Sequence, residues 1–125
     1  MRVVLQTRFN DYDNRGHVNN AVYLSYFEIA RVEAWRAVCA AFPPDFILAD
    51  AHVTYRSPAQ FGEDLVVDIT TSEVRTKAWV WSYRVLDARD GRLVADGTTT
   101  QVMFDYEART TVAIPAGVRE GLARI

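Results

Sequence analysis

Cysteine, histidine and long apolar runs are all scarce in this chain. The single cysteine, Cys39, excludes an internal disulfide, and two histidines among 125 residues argue against a histidine-rich metal centre. No apolar run approaches the roughly 18 residues that a membrane-spanning helix needs. No signal peptide precedes the first charged residues. We therefore expect a soluble, cytoplasmic protein that holds no metal and does not enter a membrane.

An excess of basic charge is also missing. The chain carries 14 basic and 16 acidic residues, with a net charge of -2 at pH 7, whereas a nucleic-acid surface needs a concentrated basic face. Nucleic acid is therefore not an expected partner. Half of the residues are hydrophobic, and this length suits one folded domain, which we expect to span residues 1–125.

The residues capable of chemistry concentrate in one stretch, Asp11-Tyr-Asp-Asn-Arg-Gly-His-Val-Asn-Asn20. Asn19 or Asn20 stands where the N-cap of a following helix is expected. Free N–H groups at such a helix start can stabilise an oxygen that becomes negative during a reaction, and Asp13 could act on the carbon attached to it. The same composition is also typical of a solvated turn. A calcium loop is disfavoured because position twelve is Val22 rather than Glu.

Hydrophobic periodicity predicts one long helix and five strands. The helix extends from Ala21 to Ala41, and Phe42-Pro-Pro-Asp45 ends it because consecutive prolines cannot continue a helix. Asp90-Gly91 predicts a hairpin turn between the last two strands. The pattern is typical of an α+β domain in which an antiparallel sheet, with its last four strands in a meander, curls around the helix. The predicted strands are Met1 to Phe9, Ile47 onward to about Arg56, Leu65 to Val74, Ala78 to Leu86 and Leu93 to Tyr106.

Two stretches together resemble a known family. The first extends from Arg8 to Arg31 and contains Asp13-x-x-Gly-His-Val-Asn-Asn20-x-x-Tyr23, and the second is Tyr55-Arg-Ser-Pro-Ala-Gln-Phe-Gly-Glu-Asp-Leu65. Both are similar to segments of the hotdog-fold acyl-CoA thioesterases of the 4-hydroxybenzoyl-CoA thioesterase type. The resemblance implies a hotdog fold, with a five-stranded curved antiparallel sheet wrapped around one long helix. It also implies hydrolysis of an acyl-CoA, or of a related acyl thioester, to free acid and CoA.

The resemblance assigns roles within these stretches. Asp13 corresponds to the catalytic carboxylate, acting as nucleophile or general base, and helix-start amides around Asn20 polarise the thioester carbonyl. His17 is the third catalytic candidate, ranked below Asp13, and ordering of the loop is its alternative role. No cofactor is implied, since coenzyme A is part of the substrate. The remaining positions expected to bind the substrate are Gly16, Asn19, Tyr23, Ser57 and Pro58.

Two other functions fit the same fold. One is a hotdog dehydratase or hydratase that uses His17, and the other is a non-catalytic acyl-thioester binding protein. The resemblance further implies a homodimer or homotetramer, and the helix supports it because its pattern leaves little polar surface for a lone subunit. Asp11 is the nearest rival to Asp13, and we expect it to be exposed at the end of the first strand.

Overall fold

The structure is a computed structural model that describes residues 1–41 and 43–125. Phe42, part of the predicted helix stop, lies outside the described residues. The strands are β1 (Arg2–Val4), β2 (Phe46–Tyr55), β3 (Leu65–Val74), β4 (Ala78–Asp87), β5 (Leu93–Asp105) and β6 (Thr110–Thr111), and the helices are α1 (Val22–Val38) and α2 (Ala116–Leu122). A single 3-10 turn, Phe9–Asp11, precedes the loop that leads into α1.

Helix α1 buries one apolar face along its length. Its apolar residues at helical spacing are all buried against the sheet, and they are Tyr23, Phe27, Ala30, Ala34 and Val38. The Phe27 ring stacks on the Tyr83 ring with centroids 4.2 Å apart. This contact needs a glycine on β5, because a Cβ at Gly97 would collide with the Phe27 ring and with a carbonyl oxygen of β2.

One face of β4 is aromatic and forms the base of the core. Trp79, Trp81 and Tyr83 are each at most 1% exposed, and the Trp35 ring of α1 stacks over Trp79 at 6.0 Å between centroids. The prediction of an α+β domain, with an antiparallel sheet around one long helix, is therefore confirmed.

The predicted four-strand meander is wrong for β2. The sheet order is β1-β3-β4-β5-β2, so β2 pairs antiparallel with β5 rather than with its sequence neighbour β3. Alternation along a strand predicts which side chains share a face, but it does not identify the neighbouring strand. The ten-residue β2 becomes one edge of the sheet, and the three-residue β1 becomes the other.

The segment after β5 packs against the rest of the domain. β6 pairs with the end of β5, and α2 buries Val118 and Leu122. Gly121 of α2 lies so close to Val38 that a Cβ there would approach the Val38 Cα to 2.9 Å. No described helix is both long enough and apolar enough to cross a membrane, and the cytoplasmic location stays a prediction.

Candidate active site

A tight hairpin places Asp13 at the surface just before α1. The Asp13 N–H donates to the His17 carbonyl oxygen at 2.7 Å, and the Gly16 N–H donates to the Asp13 carbonyl oxygen at 3.1 Å. Gly16 has φ +75°, in the left-handed region that glycine adopts without strain. His17 also forms a bridge to Gln60, in the segment between β2 and β3. The hairpin is thus closed by its own backbone and anchored to the rest of the molecule.

The Asp13 carboxylate is held by backbone donors on one oxygen. Its Oδ1 accepts the N–H of Arg15 at 2.8 Å and the N–H of His17 at 3.1 Å. These bonds, the one from His17 first, hold the pKa of the exposed Asp13 below its ordinary value, because they favour the charged form. Among the described residues Oδ2 has no donor. Asp13 is therefore an ionised carboxylate at neutral pH with one oxygen free to react.

Asp11 has a different role from the one expected. It is buried rather than exposed, its Oδ2 accepts the Tyr26 hydroxyl at 2.9 Å, and its Oδ1 accepts the Arg8 guanidinium at 3.1 Å. Its carbonyl oxygen also accepts the Asn19 N–H. The expectation of an exposed Asp11 is wrong because Tyr26, one helical turn into α1, reaches back to cover it. Asp11 fastens the loop to the helix.

The predicted asparagine cap is displaced from the helix start. The N-cap of α1 is Ala21, which has no side-chain capping bond. The Asn19 side chain instead accepts the Ala21 N–H at 3.0 Å, and the Asn19 carbonyl oxygen accepts the Val22 N–H at 3.0 Å. Asparagine thus organises the helix start from two residues before the cap, and the cap positions expected for Asn19 and Asn20 are wrong by one or two residues.

This arrangement leaves one backbone donor free. Within the described residues the Asn20 N–H has no acceptor, whereas those of Asn19, Ala21 and Val22 are all bonded. The carbonyl of the Asn19–Asn20 peptide points towards α1, where it accepts from Val22. In a planar trans peptide the N–H points the opposite way, so the Asn20 N–H is directed out of the helix start.

The loop, α1 and the end of β2 enclose a cavity of about 430 Å³, here named the Asp13 cavity. Its walls contain seven of the eight residues predicted for the site, and the missing one is Gly16, which shapes the hairpin behind Asp13. The cavity lies within the size range of small-molecule sites. The lining residues are Asp13, His17, Val18, Asn19, Asn20, Tyr23, Tyr55, Arg56, Ser57 and Pro58.

Two tyrosines support the helix start from the cavity wall. The Tyr55 hydroxyl donates to the Asn20 carbonyl oxygen at 2.9 Å. Burial raises the pKa of Tyr23, and the Ala59 N–H bonded to its hydroxyl partly offsets that rise. The two rings meet edge to face with centroids 5.5 Å apart. Sequence analysis missed the role of Tyr55, although its place at the end of a strand beside Ser57 and Pro58 was an available signal.

Arg92 is a second residue that sequence reasoning missed. Its guanidinium donates to the Ser57 hydroxyl at 2.7 Å, to the Pro58 carbonyl at 3.0 Å and to Glu63 at 2.8 Å. The Ser57 hydroxyl in turn donates to the Leu93 carbonyl. Arg92 therefore positions the segment that carries Ser57 and Pro58. It lies just after the Asp90-Gly91 turn, far from that segment in the sequence, and only the folding of the chain brings the two together.

Metal-binding side chains do not gather around the cavity. In the described part of the chain, no three His, Cys, Asp or Glu residues lie together as a metal site requires. The His17 side chain lines the cavity without a hydrogen bond to any described residue, while its backbone N–H orders Asp13. The expectation that no metal or cofactor takes part stays a prediction.

The chain is similar in sequence and in structure to several known proteins. The model of the thioesterase-like superfamily matches residues 7–122. The long-chain acyl-CoA thioesterase FadM of Escherichia coli is 26% identical over 133 residues, which cover 100% of this chain and 98% of FadM. A Thermus thermophilus thioesterase solved with coenzyme A and Zn is 28% identical, with a TM-score of 0.88 over 97% of this chain and 95% of that one.

A more distant structure shares the fold alone. The 1,4-dihydroxy-2-naphthoyl-CoA thioesterase of Synechocystis is 19% identical, with a TM-score of 0.87 over 99% of this chain and 96% of that one. These likenesses extend over the sheet, α1 and the loop that carries Asp13.

Proposed function

Because the chain belongs to the thioesterase-like superfamily, we propose that it hydrolyses acyl-CoA thioesters in the Asp13 cavity. The predicted hotdog fold and the predicted class, thioester hydrolase, are confirmed by the family and by the solved relatives. The proposal adds the site and the mechanism. It rests above all on one observation: the same cavity is lined by Asp13, an ionised carboxylate with one unbonded oxygen, and by Asn20, whose backbone N–H is unbonded among the described residues.

The proposed reaction begins with the thioester carbonyl oxygen on the Asn20 N–H. That donor stabilises the negative charge that develops on the oxygen as the carbonyl carbon becomes tetrahedral. Two hydrogen bonds hold the peptides on either side of Asn20 in place. The Tyr55 hydroxyl donates to the Asn20 carbonyl oxygen, and the Val22 N–H donates to the Asn19 carbonyl oxygen. The donor is therefore oriented before the substrate arrives.

Asp13 supplies the other half of the reaction. Its free Oδ2 either attacks the carbonyl carbon, which expels the CoA thiolate and leaves a mixed anhydride for water to hydrolyse, or it removes a proton from an attacking water. A carboxylate held ionised by backbone donors is available for both routes. Label found in the Asp13 carboxylate after a single turnover in ¹⁸O-labelled water would identify the anhydride route with water attacking the Asp13 carbonyl carbon. Label found only in the product acid fits either the general-base route or attack of water on the acyl carbonyl of the anhydride, and trapping of the anhydride with hydroxylamine separates those two.

The activity itself is tested with a panel of aliphatic and aromatic acyl-CoAs and a thiol reagent that reports free CoA. We expect turnover of at least one acyl class by the purified protein. Enoyl-CoA and hydroxyacyl-CoA substrates, followed for loss or gain of the double bond, test the dehydratase or hydratase alternative. Tight binding of acyl-CoA with no turnover of any kind would instead favour the non-catalytic binding protein.

We further propose that the active unit is at least a homodimer formed through β2. The outer side of this strand has no partner among the described residues, and its exposed side chains include Ile47, Leu48 and Tyr55. It also lacks the lysines and prolines that protect lone edges, whereas the other edge, β1, is only three residues long. An antiparallel β2–β2 pair about a two-fold axis would satisfy this edge. A stable, active 14.2 kDa monomer in sedimentation would contradict the proposal.

A further inference from the structure

Arg31 is a buried charge in the middle of α1. Only 8% of it is exposed, and no carboxylate among the described residues forms an ion pair with it. A guanidinium in such a setting favours an anion beside it, because little water remains around its charge. An anionic group of a ligand that enters beside Arg31 would supply this partner.

Tyr83 is a polar neighbour of Arg31 in the core. Burial raises the pKa of Tyr83 to about 12, and the hydrogen bond with Thr99 and the nearby Arg31 guanidinium offset part of the rise. The Tyr83 hydroxyl also bonds the Thr99 hydroxyl, which accepts from the Gln101 amide. A guanidinium has five N–H donors, so Tyr83 leaves most of them for another acceptor.

Arg31 also lines a second cavity of about 540 Å³, here named the Arg31 cavity. Apart from Arg31 its walls are mainly aromatic or aliphatic, and the exposed Glu28 is the one acidic side chain on them. An apolar pocket with one buried cation suits a hydrocarbon chain that ends in an anion. The described lining residues include Glu28, Arg31, Val32, Phe46, Leu48 and Tyr106, together with Pro43 and Pro44.

The two cavities lie at opposite ends of β2 on the same face of the sheet. Phe46 and Leu48 line the Arg31 cavity, and Tyr55 lines the Asp13 cavity. Phe46 is paired with buried Met103, and Tyr55 with buried Ala95, and paired residues in antiparallel strands project from the same face. Both cavities therefore open on the helix side of the sheet.

A two-fold β2–β2 pair would bring unlike cavities together. In an antiparallel pair centred on the middle of the strand, Tyr55 of one copy lies beside Phe46 of the other. The Asp13 cavity of each copy then adjoins the Arg31 cavity of its neighbour. Outward-facing Asp50, paired with Thr100, lies on the opposite face from Leu48 and is not placed to neutralise Arg31.

From this arrangement, and resting on the proposed thioesterase function, we infer that Arg31 of one copy binds the far end of an acyl chain whose thioester lies at Asp13 of the other. The acyl group it selects carries a carboxylate at its ω end, because a guanidinium binds a carboxylate through two parallel hydrogen bonds. Arg31 is thus a specificity residue supplied in trans, and each site is incomplete in a single copy.

Binding is measured first, so that the test does not depend on turnover. The probes are 2-oxoalkyl-CoA thioethers, in which a methylene between sulfur and carbonyl prevents hydrolysis, made with chains of equal carbon count that end in methyl or in carboxylate. We expect the wild-type protein to bind the carboxylate-ended probe about 10- to 100-fold more tightly, the scale of a charge-assisted hydrogen bond. Arg31→Met should remove that preference, and Arg31→Lys should keep part of it.

The matched control is Arg36→Met, since Arg36 lies on the same helix but is exposed and paired with Glu33. It should keep the preference. Equal wild-type affinity for the two probes would overturn the inference while leaving the thioesterase proposal intact. If neither probe binds, the proposed function fails and the inference fails with it. The wild-type comparison decides the matter even if Arg31→Met does not fold.

A mixed dimer tests the arrangement in trans. Differently tagged Asp13→Asn and Arg31→Met chains are combined, and dimers that carry both tags are purified. If the site is shared, Asp13 of the Arg31→Met chain meets Arg31 of the Asp13→Asn chain, and hydrolysis shows the wild-type preference for ω-carboxyacyl-CoA. If both residues serve one chain's site, the mixed dimer shows the Arg31→Met selectivity, which would overturn the trans assignment, as would failure of the chains to pair.

Discussion

The Asp13 cavity and the Arg31 cavity are built in opposite ways. Asp13 is exposed and is held by N–H groups no more than four residues away in its own hairpin. Arg31 is buried, and its surroundings come from β2, β4 and the segment after β5. A local hairpin can present an ionised carboxylate without help from distant residues. A buried cation, in contrast, needs several strands and helices packed around it to exclude water. In the proposed enzyme the first design serves the reaction and the second serves selection of the acyl group.

The largest expected effect comes from Asp13→Asn, which tests whether the hairpin carboxylate performs the reaction. Asparagine can still accept the N–H groups of Arg15 and His17, but it has no charge and is a poor nucleophile. We expect kcat to fall by about 10³-fold with the fold intact, within the range for loss of a general base or nucleophile. Asp64→Asn is the control, because Asp64 is exposed and lies outside both cavities. Near wild-type kcat in Asp13→Asn would exclude Asp13 as the reacting group.

Removal of the Asn20 N–H should have the next largest effect. Replacement of residue 20 by its α-hydroxy acid converts the amide to an ester and deletes only the donor. The expected fall in kcat is about 10²-fold, the scale for one oxyanion donor. Proline would delete the same N–H, and it is well tolerated at the first position of a helix. Asn20, however, precedes the N-cap Ala21, so the ester is the substitution that perturbs the backbone less. Asn20→Ala keeps the donor and should be mild, and an unchanged kcat in the ester would place the oxyanion donor elsewhere.

His17→Ala separates side chain from backbone within the hairpin. The His17 backbone N–H, which bonds Asp13, survives the substitution, whereas the imidazole makes no hydrogen bond to a described residue. We expect kcat to fall by less than about 10-fold, since loss of a general acid or base costs 10²–10⁴. A loss as large as that of Asp13→Asn would show that the imidazole takes part in the reaction and would revive the His17-dependent alternative.

The smallest expected effect on turnover belongs to Asp11→Asn, although Asp11 lies only two residues from Asp13. Like Arg31 it is a buried charge, but it is satisfied within its own chain by Arg8 and Tyr26. Replacement should lower the free energy of unfolding by about 1 to 3 kcal/mol, the cost of disturbing a buried charged hydrogen bond. Urea unfolding measures this loss, and kcat of the folded fraction should change less than twofold. Strongly reduced turnover without lost stability would assign Asp11 a chemical role.

Most of the elements and most of the cavity wall could be predicted from the sequence. Trp79, Trp81 and Tyr83 alternate with smaller residues, and that period places them on one face of a strand before any fold is known. Seven predicted residues line the Asp13 cavity because five of them, from Asp13 to Tyr23, are close neighbours along the chain. Ser57 and Pro58 were found only through the resemblance, since nothing local connects them to Asp13.

The remaining features depend on residues that are far apart in the chain. The pairing of β2 with β5, the burial of Asp11 under Tyr26, and the bonds from Arg92 to Ser57 and Pro58 have no local signal. In the sequence Arg31 resembles any other helix arginine, and only the packing of α1 against the sheet shows that it is buried.

By itself, therefore, the sequence determined the helix face, the strands and the reactive hairpin, because periodicity, turn residues and backbone hydrogen bonds act over a few residues. Only the tertiary structure decided which strand is exposed at the edge of the sheet, which aspartate is buried, and that the Arg31 guanidinium is buried as well. Burial and strand pairing arise from contacts between distant segments, and these contacts determine which charges keep their water and which need a partner.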